Sequence, residues 1–243
     1  MRKKSLRGVQ NTPHETQMDL DSSMAMFSRF ARSLGGFGGL SAPLFVFMEG
    51  NVGAGKSTVL AELKFALEAK GKRVCLFLEQ SERWTHQGLL EEVYDGSRSG
   101  KRAFEVLGPL RDFVDRRRFL NAHEREYDVV LFERHPWTAL HVFGAASDPA
   151  TREMYASVDA AFPFASPPEM TIYLRVSPEE CLRRVTERGR PEEKKVTSAF
   201  LREKHEAHER EMRRRRERGL DVREISGENR GAKLVVEAAL ECF

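Results

Sequence analysis

Short of cysteine, of long apolar runs and of any excess of one charge, the sequence excludes several classes of protein before a motif is read. Cys75, Cys181 and Cys242 are its only cysteines in 243 residues. Their odd count and wide spacing, without a Cys-x-x-Cys pair, exclude a disulfide framework and a cysteine-based zinc site and imply a reducing compartment. No apolar stretch approaches the ~18 to 20 residues of a membrane span. A soluble, cytoplasmic chain without membrane attachment is therefore expected. Lys and Arg number 40 against 37 Asp and Glu, a formal net charge of +3. So even a balance gives no broad basic surface, and no stable nucleic-acid partner is expected. Residues 22–43 hold Arg29 and Arg32 but no acid, a loose likeness to a transit peptide. Glu15, Asp19 and Asp21 upstream spoil it, which leaves a mitochondrial address as the minor alternative.

What is present is the makeup of one ordinary globular domain, 40% hydrophobic and 32% charged. Residues 1–42 lack a sustained period and end near Gly35-Gly36-Phe37-Gly38-Gly39, so they read as a flexible N-terminal arm. The folded domain is expected over 43–243. Apolar strands are expected at 44–49, 73–78, 128–132, 170–175 and 222–225. Helical segments are expected at 57–69, 87–94, 103–126, 139–145, 152–160, 178–188, 198–218 and 232–240. Strands without a polar face that alternate with helices imply an α/β fold: a five-stranded parallel sheet covered by helices on both faces. In such sheets ligands sit beyond the carboxyl ends of the strands, which makes the residues there the ones to read.

The first strand runs into Gly50-Asn51-Val52-Gly53-Ala54-Gly55-Lys56-Ser57-Thr58, the full G-x-x-x-x-G-K-[ST] pattern of a phosphate-binding loop between a strand and a helix. Glycine at these points lets successive backbone N–H groups curl around phosphate oxygens. Lys56 supplies a charge for the β- and γ-phosphates, the helix start adds its dipole, and the Ser57 hydroxyl suits Mg²⁺. ATP or GTP is the implied ligand.

Two carboxylates follow at strand ends. Glu79 stands with Trp84 a few residues on, and Glu133 precedes Arg134-His135-Pro136. Paired with Arg134, Glu79 can accept a hydroxyl proton while the guanidinium balances charge on a transferred phosphoryl group. Further on, Arg184, Arg188 and Arg190 surround a Gly-Arg-Pro turn. They suit an Arg-rich lid over about 184–196 that folds onto phosphate and excludes water. The run Arg213–Arg216 reads as a solvated helical face. His205 and His208 lack the companions of a metal site and read as packing or exposed residues.

Glu49–Thr58, Glu79–Trp84, Glu133-Arg134-His135 and Tyr173–Cys181 running into Arg188–Glu193 together resemble the deoxyribonucleoside kinases over roughly residues 44–212. That family includes the thymidine kinase 2, deoxycytidine and deoxyguanosine types, with herpesviral thymidine kinases more distant. Glu133-Arg134-His135-Pro136 is closer to the herpesviral form of this motif. The resemblance implies a P-loop kinase that uses ATP and Mg²⁺ to phosphorylate the 5′-hydroxyl of a deoxynucleoside, and a homodimer. Glu79 becomes the base, with Arg134 beside it and Lys56 on the phosphates. Ser57 and Glu133 become the metal-linked oxygens. Tyr94 and Glu193 become contacts to the sugar 3′-hydroxyl, and Arg184, Arg188 and Arg190 contacts to phosphate. Trp84, Phe104, Phe143 and Ala139 would border the base, where aromatic faces suit stacking.

The departures concern the base. Glu105 stands where relatives have Gln; ionised, it only accepts hydrogen bonds and suits two adjacent donors, as on guanine. Gly108 and Asp112 also fall where relatives carry bulkier or apolar residues. Ala139 points instead to a thymidine-accepting type. A thymidylate-type monophosphate kinase is the nearest alternative, but a carboxylate at position 79 would repel its phosphorylated acceptor. A non-catalytic nucleotide- or nucleic-acid-binding module is the other.

Overall fold

The computed structural model describes residues 42–80, 109–143, 149–161, 168–228 and 230–243. Of the expected arm, residues 1–41 lie outside these, as does the helix expected at 87–94. Strand β1 (Leu44–Glu49) feeds the glycine loop and α1 (Lys56–Ala69), and β2 (Val74–Phe77) follows. Next come α2 (Pro109–His123), a 3-10 turn at Glu124–Glu126, β3 (Val129–Glu133), α3 (Pro136–Val142) and α4 (Pro149–Ala161). The remaining elements are β4 (Glu169–Arg175), α5 (Pro178–Arg188), a 3-10 turn at Pro191–Glu193, α6 (Ser198–Glu217), β5 (Val222–Ser226) and α7 (Ala232–Leu240).

All strand pairs are parallel, and the order is β2-β3-β1-β4-β5. Because the chain leaves β1 for one edge and returns across it to β4, the order reverses at β1. The crevice at its carboxyl end is the natural ligand position.

Local sequence explains most of the boundaries. Ser177 accepts a hydrogen bond from the Glu180 N–H at 3.2 Å, Pro178 opens α5, and Gly189 closes it at φ 64°. Thr197 caps α6 through the Phe200 N–H at 3.1 Å. Helix α3 begins earlier than expected, because His135 caps it through the Trp137 N–H at 3.1 Å and Pro136 occupies its first turn. Helix α4 likewise starts at Pro149 rather than Arg152.

Each face of the sheet has its own core. On one, Val46, Met48, Leu131, Ile172 and Leu174 pack against Leu60, Leu63 and Leu67 of α1 and Val235, Val236 and Ala239 of α7. On the other, Phe45, Phe47, Val130 and Phe132 meet Leu120 of α2. The Phe132 ring there stacks on Phe47 at 4.8 Å and on Phe77 at 5.3 Å.

Two expectations need correction. The strands are not uniformly apolar: β5 exposes Arg223 and Glu224, and β1 ends in the fully buried Glu49. Nor is the arginine run of α6 wholly solvated. Arg215 is 3% exposed and donates to Glu211 Oε1 at 3.2 Å and to Thr171 Oγ1 at 3.0 Å. The reason is helical period: Leu201, Lys204, His208, Glu211 and Arg215 form one stripe that turns inward.

Candidate active site

Gly50, Gly53 and Gly55 take φ values of 149°, 81° and 96°. At Gly53 a Cβ would lie 2.6 Å from the Cys181 carbonyl oxygen, so α5 can pack on the loop only if no side chain is there. Asn51 anchors the loop by donating to the Leu201 carbonyl at 2.8 Å and accepting from the Val52 N–H at 2.9 Å. The loop leads into α1 with no side-chain cap, so the positive end of the helix dipole faces the loop. Lys56 is buried, donates to the Asn51 carbonyl at 3.1 Å, and lies 3.8 Å from Glu133 Oε1. Burial and Arg134 push its pKa below the usual lysine range, against the pull of Glu133, Glu79 and Glu49.

The carboxyl ends of β2 and β3 close the other side. Ser57 Oγ donates to Glu133 at 3.0 and 3.1 Å, and the Glu79 N–H donates to Glu133 Oε2 at 3.2 Å. Burial alone would raise the Glu133 pKa; Lys56 and Arg134 instead hold it below the usual carboxylate range. Arg134 Nε donates to Glu79 Oε1 at 3.0 Å and Nη1 to the Gly50 carbonyl at 3.0 Å, while the guanidinium lies 4.8 Å over the Phe143 ring. Although burial opposes it, the carboxylates of Glu79, Glu49 and Glu133 keep this guanidinium firmly protonated. One crevice thus joins a glycine loop, a lysine, a hydroxyl–carboxylate pair and an Arg–Glu pair. That set is suited to moving a phosphoryl group onto a hydroxyl.

Helix α5 reaches the loop from the far side. Arg184 donates to the Ala54 carbonyl at 3.0 Å and the Gly227 carbonyl at 2.8 Å, and Glu180 holds its Nε at 2.7 Å. Beside it lies a cavity of about 460 Å³ lined by Ala54, Thr58, Arg183, Arg184, Gly227 and Arg230, among others. Arg188 pairs with Glu193 through contacts of 2.5 and 3.1 Å, and Arg190 is exposed in the turn between them.

A model of the family described as deoxynucleoside kinase matches residues 46–236. The chain belongs to the deoxynucleoside kinase family. It is 31% identical to a thymidine kinase of Ictalurid herpesvirus 1 (strain Auburn) over 172 residues, 67% of this chain and 71% of that protein. It is also 31% identical to a thymidine kinase of Saimiriine herpesvirus 2 (strain 11) over 183 residues. That alignment takes in 65% of this chain but only 33% of the viral protein. A Gallus gallus deoxycytidine kinase 2 is 26% identical over 191 residues, 68% of this chain and 72% of that protein. The protein is a deoxynucleoside kinase with ATP as phosphoryl donor. No described helix is long and apolar enough to cross a membrane.

Among the expected site residues of this kinase, the structure brings together Gly50 to Thr58, Glu79, Glu133, Arg134 and Phe143. Arg184 contacts the loop, whereas Arg188 and Glu193 contact each other. Ala139 lies in α3; Trp84, Tyr94, Phe104, Glu105 and Gly108 lie outside the described residues. Asp112 is described, and Arg116 ties it at 2.7 Å while donating to the Leu78 carbonyl at 2.5 Å, which fixes α2 beside the end of β2.

Sequence reasoning missed the inward stripe of α6. Lys204 is buried with its ammonium 5.8 Å from the Phe143 ring centre and 5.4 Å from that of Phe200. His208 Nδ1 lies 2.8 Å from the Lys204 carbonyl, which only accepts, so Nδ1 carries the proton. Burial, together with Arg134 and Lys56, pushes this histidine well below its ordinary pKa and keeps it neutral. The spacing of these residues was the one available signal, and polar stripes of that period usually face water.

Proposed function

We propose that this kinase transfers the γ-phosphoryl group of Mg-ATP to the 5′-hydroxyl of a 2′-deoxynucleoside, with Glu79 as the base. The observation that carries this reading is the Arg134–Glu79 contact at 3.0 Å, joined through the Glu79 N–H and Glu133 to Ser57 at the start of α1. Glu79 accepts the hydroxyl proton, and Arg134 and Lys56 neutralise charge on the moving phosphoryl group. Ser57 and Glu133 offer paired oxygens, the donor set that a hard divalent cation prefers, and these residues would hold Mg²⁺. The chemistry such a cation would supply there is neutralisation of phosphate charge.

Arg184, Arg188 and Arg190 serve as the phosphate-facing lid, and Glu193 as a sugar contact once Arg188 releases it. The cavity beside Arg184 suits the donor's base. Trp84, Tyr94, Phe104, Glu105, Ala139 and Phe143 border the acceptor. The relatives' names put thymidine and deoxycytidine first among acceptors to test, while Glu105 favours a base with adjacent donors.

An assay of ADP release with each of the four deoxynucleosides and their monophosphates tests this. Turnover is expected with at least one deoxynucleoside and none with the monophosphates. Turnover with monophosphates alone would establish the thymidylate-type alternative, and ADP release indifferent to any acceptor would remove the kinase reading. Glu105→Gln is expected to move preference toward thymidine; an unchanged order of acceptors would refute the pocket assignment.

A further inference from the structure

We propose that Glu49 is a positioning residue for phosphoryl transfer, using one carboxylate oxygen to pin the Arg134-His135 turn and so aim the Arg134 guanidinium at the glycine loop. The inference rests on the role given to Arg134 above.

Arg134 holds φ 67°, and it is the one described non-glycine residue in the left-handed region. A side chain there costs energy, and the conformation persists only where its surroundings impose it. Three consecutive residues impose it here. The Met48 carbonyl accepts from the Arg134 N–H at 3.1 Å, Glu49 Oε1 accepts from the His135 N–H at 2.7 Å, and the Gly50 carbonyl accepts from the guanidinium at 3.0 Å. The same Glu49 oxygen accepts a second bond, from Thr138 Oγ1 at 2.6 Å, which fixes the first turn of α3. Because α3 leads directly to Phe143, under the guanidinium, this one oxygen sets both the backbone from which Arg134 leaves and the ring on which it rests.

A carboxylate is an expensive residue to bury at this point. Glu49 is fully buried at the end of the central strand, and burial pushes its pKa up against the opposing pull of Arg215 and Arg134. An apolar residue would pack there at less cost, but it would offer no acceptor to the two donors of the turn. The contribution asked of Glu49 is alignment, and small misplacements of catalytic groups have large effects on rate.

The test is kcat and KM for ATP and deoxynucleoside in Arg134→Ala, Glu49→Ala, Glu49→Gln and the double Glu49→Ala/Arg134→Ala protein. Arg134→Ala should lower kcat by about 100-fold; an unchanged kcat there would overturn the role of Arg134, and this inference with it. With that loss in hand, Glu49→Ala should lower kcat by about 30-fold and leave KM for ATP within about threefold. Glu49→Gln, which keeps an oxygen for the two donors, should recover kcat to within about threefold of wild type. In the Arg134→Ala background, Glu49→Ala should cost less than about threefold, since the group it aims is gone. Equal losses in both backgrounds, or a Gln variant as slow as the Ala variant, would overturn the proposal. Should Glu49→Ala fail to fold, Thr138→Val removes one donor alone and should slow kcat by about threefold to tenfold at unchanged KM for ATP, with Thr138→Ser restoring it. A Thr138→Val enzyme of wild-type kcat would equally sink the idea.

Discussion

The two faces of the sheet are built from different chemistry although the same strands supply both. The face under α1 and α7 is aliphatic, with Val46, Met48, Leu131, Ile172 and Leu174 meeting leucines and valines. The opposite face begins with stacked phenylalanines at β2, β3 and β1 and then turns polar toward α6. There Thr171, Tyr173, His208, Glu211, Arg215 and Glu49 are all buried. The aliphatic face is held by burial, which is non-directional and tolerant of small shifts. The polar face is held by hydrogen bonds and paired charges, which fix angles as well as distances. Arg134 depends on the second kind of support. Its turn is tied to Glu49, and its guanidinium rests on Phe143, whose ring has Lys204 and His208 as further neighbours. One face is held by apolar packing, and the other adds directional contacts that reach the turn carrying Arg134.

The largest expected effects fall at the crevice where the faces meet the glycine loop. Glu79→Gln should lower kcat by roughly 10²–10⁴-fold with little change in ATP binding. Lys56→Ala should reduce turnover by roughly 10²–10³-fold. Steady-state kinetics with ATP titration check both, and appreciable turnover in Glu79→Gln would refute its role as base.

Stability measurements separate the faces next. Arg215→Met takes from Glu211 its buried partner, leaving the more exposed Arg214 at 3.0 Å, and should cost about 1–3 kcal/mol, part of which Arg215→Met/Glu211→Leu should restore. Leu63→Ala on the aliphatic face should cost about 2–5 kcal/mol, and no second substitution of that kind should relieve it. Denaturant unfolding measures all three. A double variant no more stable than Arg215→Met would erase the distinction between the two kinds of support.

The smallest expected effect is a pH dependence from His208. Its folded pKa lies below the unfolded value of about 6.5, so the unfolded chain takes up the proton first and stability falls as pH drops below that value. The slope attributable to this one residue is at most about 1.4 kcal/mol per pH unit. Thermal unfolding from pH 8 to 5.5 should show a shallower decline in His208→Gln than in the parent. Parallel curves would mean that His208 takes up its proton equally in both states.

Part of the candidate site was legible in the sequence because its signals are local. A glycine loop, a Lys-Ser pair and a carboxylate at a strand end each occupy a few consecutive residues, and the α/β topology assigns them all to one edge. Glu49 was hidden in the same stretch, where it read as the last residue of a strand rather than as a group with partners. Lys204, His208, Glu211 and Arg215 were hidden by their polarity, since a charged stripe on a helix normally faces water. Arg188 and Glu193 were each matched to a substrate, and neither reading foresaw that they pair with each other.

By itself the sequence determined the order of strands and helices and the phosphate loop, because those follow from short-range patterns and fixed spacings, and its resemblance to a family implied the class of reaction. Only the tertiary structure decided which side of each strand is aliphatic, which stripe of α6 turns inward, and how Arg134 is held. Strands covered on both faces read as continuous apolar runs such as Phe45-Val46-Phe47-Met48, so the pattern that would mark one side as inward is missing. The partners of Glu49 lie 86 and 89 residues away along the chain, and contacts over that distance exist only once the sheet has formed.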